Sequence, residues 1–182
     1  MNIKKSYNEV ITNYNKPYPY TTKLGMVLDY VLGSIQGFHY AKYWKRRNYV
    51  ISPSCTNKLL KLYYLYWIKK IDAKNHCSFG TSYNSGARFK TPLLEHGPSG
   101  IIVGHDAIIG ENCMILQQVT IAQGGVIIGD NVFMGAGAKI LSGVRIGNNV
   151  RIGANAVVIE DIPDNATCVM QKPRVIIKKV KN

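Results

Sequence analysis

Acid is scarce in this sequence. Ten Asp and Glu stand against 23 Lys and Arg in 182 residues, a net charge of +13. The excess is uneven: residues 1–80 hold 13 basic and 3 acidic side chains, 81–165 hold 5 and 7, and the tail from 166 holds 5 and none. A near-neutral middle between basic ends suggests an anionic partner, such as a phosphorylated cofactor, an acidic glycan or a membrane surface. No helix-turn-helix, zinc or RNA-binding signature accompanies the charge, so no nucleic-acid partner is expected. Cysteine is sparse too. Cys55, Cys77, Cys113 and Cys168 show no C-x-x-C pair and no metal-ligand spacing, and reduced thiols are expected. Long apolar runs are missing: residues 24–38 and 59–68 are short or interrupted by Asp29 and Lys61, well below the ~20 residues a bilayer requires. Residues 1–20 are polar and Tyr-rich where a secretory leader needs an apolar core. The expected compartment is the cytoplasm, with the basic N-terminal region able to bring the protein to the inner face of the membrane.

What is present is a repeat. From Val103 an aliphatic residue recurs every sixth position, at Ile109, Ile115 and Ile121. After a slip of one residue it resumes at Ile128, Met134, Ile140, Ile146, Ile152 and Val158. The following residue is usually small, as at Gly104, Gly110, Ala122, Gly129, Gly135, Gly147 and Gly153. A second small or aliphatic position lies four after the first, as at Ala107, Val119, Val132, Ala138, Val144, Val150 and Ala156. Each hexad reads as a short strand plus a corner, three hexads close a triangular coil, and stacked coils pair as parallel strands around a narrow core. Before the repeats, 24–44 and 56–71 read as helices; in the second, Leu59, Leu60, Tyr63, Tyr64, Trp67, Ile68 and Ile71 form an apolar face opposite Lys58, Lys61, Lys69 and Lys70. Pro163 is expected to break the last strand. The expected organisation is a helical region at 1–78, a β-helix at 79–168 and a basic tail at 169–182.

Residues 94–103, Leu-Glu-His-Gly-Pro-Ser-Gly-Ile-Ile-Val, resemble the first coil of hexapeptide-repeat acyltransferases in the serine acetyltransferase branch. They are most similar to its relatives that O-acetylate sugars in capsular or exopolysaccharides. The runs 117–121 and 130–140, Asp161-Ile162-Pro163 and 172–176 extend the resemblance over 80–178. It implies a mainly β fold with a left-handed parallel β-helix, a homotrimer, acetyl-CoA as co-substrate and no metal.

The resemblance makes His96 the general base, and imidazole suits that task because it titrates near working pH. His105, at a corner of the first full hexad, is a further candidate to orient the base or meet the substrate, whereas nothing around His39 or His76 argues for chemistry. A zinc site would need a third histidine downstream, which the sequence lacks. The serine enzyme's D-I-H-P run corresponds here to Ser82-Tyr83-Asn84-Ser85, without its His-orienting Asp. Its long serine-contacting loop is absent after Ala122. These departures favour a sugar acceptor, with serine O-acetylation the alternative and a catalytically inactive scaffold a third reading. Glu95, Asn84 or a backbone carbonyl remain to orient His96. CoA is expected along one corner past Ala136 and Ala154, eighteen apart; stepping back reaches Gln117 and then Ser99. In the tail, Arg174 and Lys178 are the expected partners of the CoA phosphates.

Overall fold

The computed structural model describes residues 38–90 and 92–171. Among the described residues two helices come first, α1 (Tyr40–Ile51) and α2 (Lys58–Lys74). Asn57 caps α2, its side chain accepting the Leu60 N–H, as an N-cap should. The part of the first expected helix before residue 38 lies outside the described residues. From there α1 runs past Trp44 to Ile51.

The helices pack on a left-handed parallel β-helix with three faces. The first face stacks Ile102–Val103, Thr120–Ile121, Lys139–Ile140 and Val157–Val158. The second stacks Arg88–Phe89, Ile108–Ile109, Ile127–Ile128 and Arg145–Ile146. The third runs from Pro92–Leu93 through Cys113–Ile115, Phe133–Met134 and Arg151–Ile152 to Thr167–Cys168. Every aliphatic residue of the six-residue period is buried, as is every second position named above. The slip of one residue falls between Ala122 and Val126, where Gly124 (φ 115°) and Gly125 (φ 76°) form the extra step. Both of their N–H groups donate to the Asp106 carboxylate. Pro163 does not end the solenoid. Ile162 bridges Ile146, and the coil goes on to Thr167–Cys168 on the third face.

Two local devices explain the stacking. A Cβ at Gly135 would lie 2.6 Å from the Ala154 nitrogen of the next coil, so where a small residue follows a strand it serves coil-to-coil contact. The tight left-handed turns between the second and third faces are made by Asn112, Asn131, Asn149 and Asn165, all with positive φ. Their side-chain amides bond one to the next at 3.1–3.3 Å, a ladder running the length of that corner. Asn tolerates this backbone region better than most residues because its short side chain can bond locally.

The open end of the first coil is closed by the helices. Tyr43, Trp44, Phe79 and Phe89 form an edge-to-face aromatic cluster. Arg47, fully buried, donates to Thr81 Oγ1 and to the carbonyls of Phe79 and Ala87. The face that α2 buries is not the one its periodicity suggests. Lys61, Ile68 and Asp72 point inward, while Leu59 and Tyr63 are exposed. Polar partners turn the helix: Lys61 Nζ donates to Ser52 O and to Asn84 Oδ1, and Asp72 accepts from the Tyr43 hydroxyl at 2.6 Å.

Candidate functional site

The corner between the third and first faces carries most of the residues singled out above. In ordinary coils it is short. Five residues separate the paired positions Met114 and Thr120, whereas eight separate their first-coil counterparts Leu93 and Ile102. The three extra residues make a bulge that presents His96, exposed to solvent. The bulge is tied down at both ends: Leu94 and Pro98 are buried, Gly97 N–H bonds Leu94 O, and Ile101 N–H bonds Pro98 O. Gly100 N–H donates to Asn75 O at the C-terminal end of α2. The helices thus help to fix the loop that carries the imidazole.

Below the bulge, Ser99, Gln117, Ala136 and Ala154 stack one per coil. Gln118 N–H bonds Ser99 O at 3.0 Å, Gly137 N–H bonds Gln117 O at 3.0 Å, and Asn155 N–H bonds Ala136 O at 2.8 Å. The Gln117 Oε1 atom is buried at this corner without a hydrogen-bond partner, an acceptor left for a donor from outside. One residue the sequence reading missed lies beside the track. Lys139 points along the first face and donates to Gln118 O and Thr120 Oγ1. Its signal was available, because it is the one cation among the outward positions of the four first-face strands.

The other residues fall elsewhere. Asn84 sits in the hairpin joining Thr81–Ser82 to Ser85–Gly86, at the corner between the first and second faces. Its side chain is engaged by Lys61, so within one chain it stands at a different corner from His96. His105 is at that same second corner, lining two grooves on either side of the hairpin. One, of about 390 Å³, also exposes Ser82, Thr120 and Gln123. The other, of about 440 Å³, also exposes Asn84, Arg88 and Asp106. Burial would raise the Asp106 carboxyl, but the N–H groups of Gly124 and Gly125 outweigh it and hold the group below its ordinary value. Glu95 adjoins His96 on the bulge and is exposed. Arg174 and Lys178 lie outside the described residues. Among the described residues no group of three or more His, Cys, Asp or Glu could hold a metal ion, and no helix is long and apolar enough to cross a membrane.

Residues 125–160 match the family described as bacterial transferase hexapeptide (six repeats). A serine acetyltransferase of Synechococcus elongatus is 40% identical over 107 residues, covering 54% of this chain and 43% of that protein. A serine acetyltransferase solved as a complex with CoA is 29% identical, with a TM-score of 0.58 over 72% of this chain and 53% of that one. Serine acetyltransferase isoform 3 of Entamoeba histolytica, solved in complex with cysteine, shares the fold at 24% identity and a TM-score of 0.64 over 98% of this chain and 62% of that one. This chain therefore spans about half the length of the curated relative it matches. Each of these proteins is a serine acetyltransferase, the kind of enzyme the sequence placed second, and none of them acts on a sugar by its description.

Proposed function

We propose that this protein is an acetyl-CoA-dependent serine O-acetyltransferase with His96 as its general base. The observation that carries the reading is the enlarged first-coil corner, which presents an exposed imidazole directly above the stacked track of Ser99, Gln117, Ala136 and Ala154. The acceptor rests on the 40% identity to a serine acetyltransferase.

The corner fits a pantetheine arm. Alanine side chains leave the backbone amides open, and Gln117 Oε1 has no internal donor. Arg174 and Lys178 are proposed for the CoA phosphates, where cationic side chains form charge-assisted bonds. The imidazole of His96 takes the proton of the acceptor hydroxyl as its oxygen attacks the thioester carbonyl. The C–S bond then breaks, and the departing thiolate receives that proton. Glu95, its neighbour on the bulge, is proposed to orient the ring. We further propose a homotrimer whose sites lie between neighbouring prisms. A sugar hydroxyl is the second reading, favoured by Ser82–Ser85 and by the tight Ala122–Gly125 step where the serine enzyme has acceptor-fixing residues.

His96→Ala is expected to lower turnover roughly 10²–10⁴-fold with an unchanged circular dichroism spectrum. Near-wild-type turnover would remove His96 from the chemistry. Mass spectrometry after incubation with acetyl-CoA and either serine or a glycan panel decides the acceptor, and O-acetylserine is the expected product.

A further inference from the structure

The exposed face of α2 takes no part in the site described above. Leu59, Leu62, Tyr63 and Tyr66 are three or four residues apart, so they share one stripe along the first turns of the helix. Leu59 is 80% and Tyr66 64% exposed. The same arc continues into Lys70 and Lys74, both exposed, with Lys58 at its start. At its edge Trp67 is covered by the guanidinium of Arg46 and the ammonium of Lys70. The only acid on either helix is Asp72, which is buried. This surface is therefore aliphatic and aromatic at one end, cationic at the other, and without exposed negative charge.

Its chemistry selects among occupants. A second copy of the same face would set lysine against lysine with no acid to pair. A nucleic-acid strand would use the lysines and tyrosines, but it offers nothing to Leu59 and Leu62. An anionic bilayer surface satisfies all of them. Leucines enter the boundary between headgroups and acyl chains, tyrosines lie at headgroup level with hydroxyls in water, and lysines meet the phosphates. We propose that α2 docks the protein on an anionic membrane surface, lying in the interface plane with Leu59, Leu62, Tyr63 and Tyr66 downward. Because Asn75 at the end of α2 is bonded to Gly100, docking holds the His96 corner at a fixed position relative to the lipid. The inference is independent of the acceptor and of the catalytic assignment.

The test is co-sedimentation of the full chain with vesicles of phosphatidylcholine alone or with added phosphatidylglycerol. Binding is expected only to the anionic vesicles and is expected to weaken at high salt. Lys70→Gln with Lys74→Gln should lower partitioning roughly 30-fold, the share of two lysines near such a surface. Leu59→Gln with Leu62→Gln should lower it roughly tenfold or more. Both pairs are exposed, and both variants should melt as the wild type does. Absence of binding to anionic vesicles overturns the proposal, as does binding unchanged in the leucine variant. A lipid-free mass that falls in the leucine variant would assign the face to a second copy instead. Equal binding of a single-stranded oligonucleotide by wild type and leucine variant would assign it to nucleic acid.

Discussion

Arg47 has no exposed surface, yet it carries a charge into the seam between helices and solenoid. Three backbone or hydroxyl acceptors of the first coil receive its protons, and the rings of Trp44 and Phe89 lie 5.3 and 4.9 Å from its guanidinium carbon. Burial lowers its pKa to about 10, which leaves it protonated at neutral pH. Asp72, in the same seam, has its carboxyl raised by burial, a shift only partly offset by the Tyr43 hydrogen bond and by Lys69 and Arg47. The folded state thus holds this proton more tightly than the unfolded chain. The associated stability is fully present below the ordinary carboxylate value of 3.8 and is lost as pH rises through the raised one. Asp72→Asn keeps an acceptor for the Tyr43 hydroxyl but cannot ionise. Its denaturation midpoint is expected to gain on the wild type as pH rises above about 4. Parallel midpoint curves across that range would show that Asp72 does not titrate as argued.

At the scale of elements, the asparagine ladder does what the hexads alone cannot. It supplies a left-handed turn at each passage from the second face to the third after the first coil, and binds successive turns through side-chain amides. Asn131→Ala removes two of those bonds and places Ala at φ 58°, an expected loss of about 2–3 kcal/mol. Asn131→Gly loses the same bonds without the backbone strain and is expected to cost about half as much. Thermal melts of the two variants check this; equal losses would mean that the left-handed backbone contributes nothing. None of the ladder was read from the sequence, although the four Asn sit at repeating corner positions, because the hexad is recognised by its apolar and small positions. Those positions gave the inward residues, the one-residue slip and the stacking of Ser99, Gln117, Ala136 and Ala154, since a fixed coil length turns spacing directly into contact. Helix α2 was harder. Its apolar periodicity was real, but Lys61 and Asp72 found partners more than twenty residues away in sequence, and no local pattern encodes such pairs. The bulge bearing His96 was legible through its motif, whereas the placement of Asn84 at another corner required the coil count that only the folded chain supplies.

The whole molecule presents a prism whose first face carries outward aliphatic side chains at its two ends, with Thr120 and Lys139 between them. Ile102 and Val157 stand outward on its strands, with Leu141 and Ile159 just beyond two of them, and Val157 is 55% exposed. Four exposed aliphatic side chains on or beside one solenoid face mark an interaction surface more readily than a fully polar face would. The solenoid segment is close to neutral, five basic against seven acidic residues over 81–165, so identical prisms can approach without the repulsion that a uniform +13 would impose. A threefold arrangement closes such a surface on itself and leaves no open end for further growth. Light scattering at micromolar protein is therefore expected to give three times the 20.3 kDa chain mass. Ile102→Glu combined with Val157→Glu puts two charges on that face without touching the inward core. This variant is expected to be monomeric, to retain its circular dichroism spectrum, and to lose acetyl transfer, because the proposed sites lie between neighbours. A monomer with full activity, whether wild type or variant, would show that one prism contains the whole site and that the first face serves some other contact.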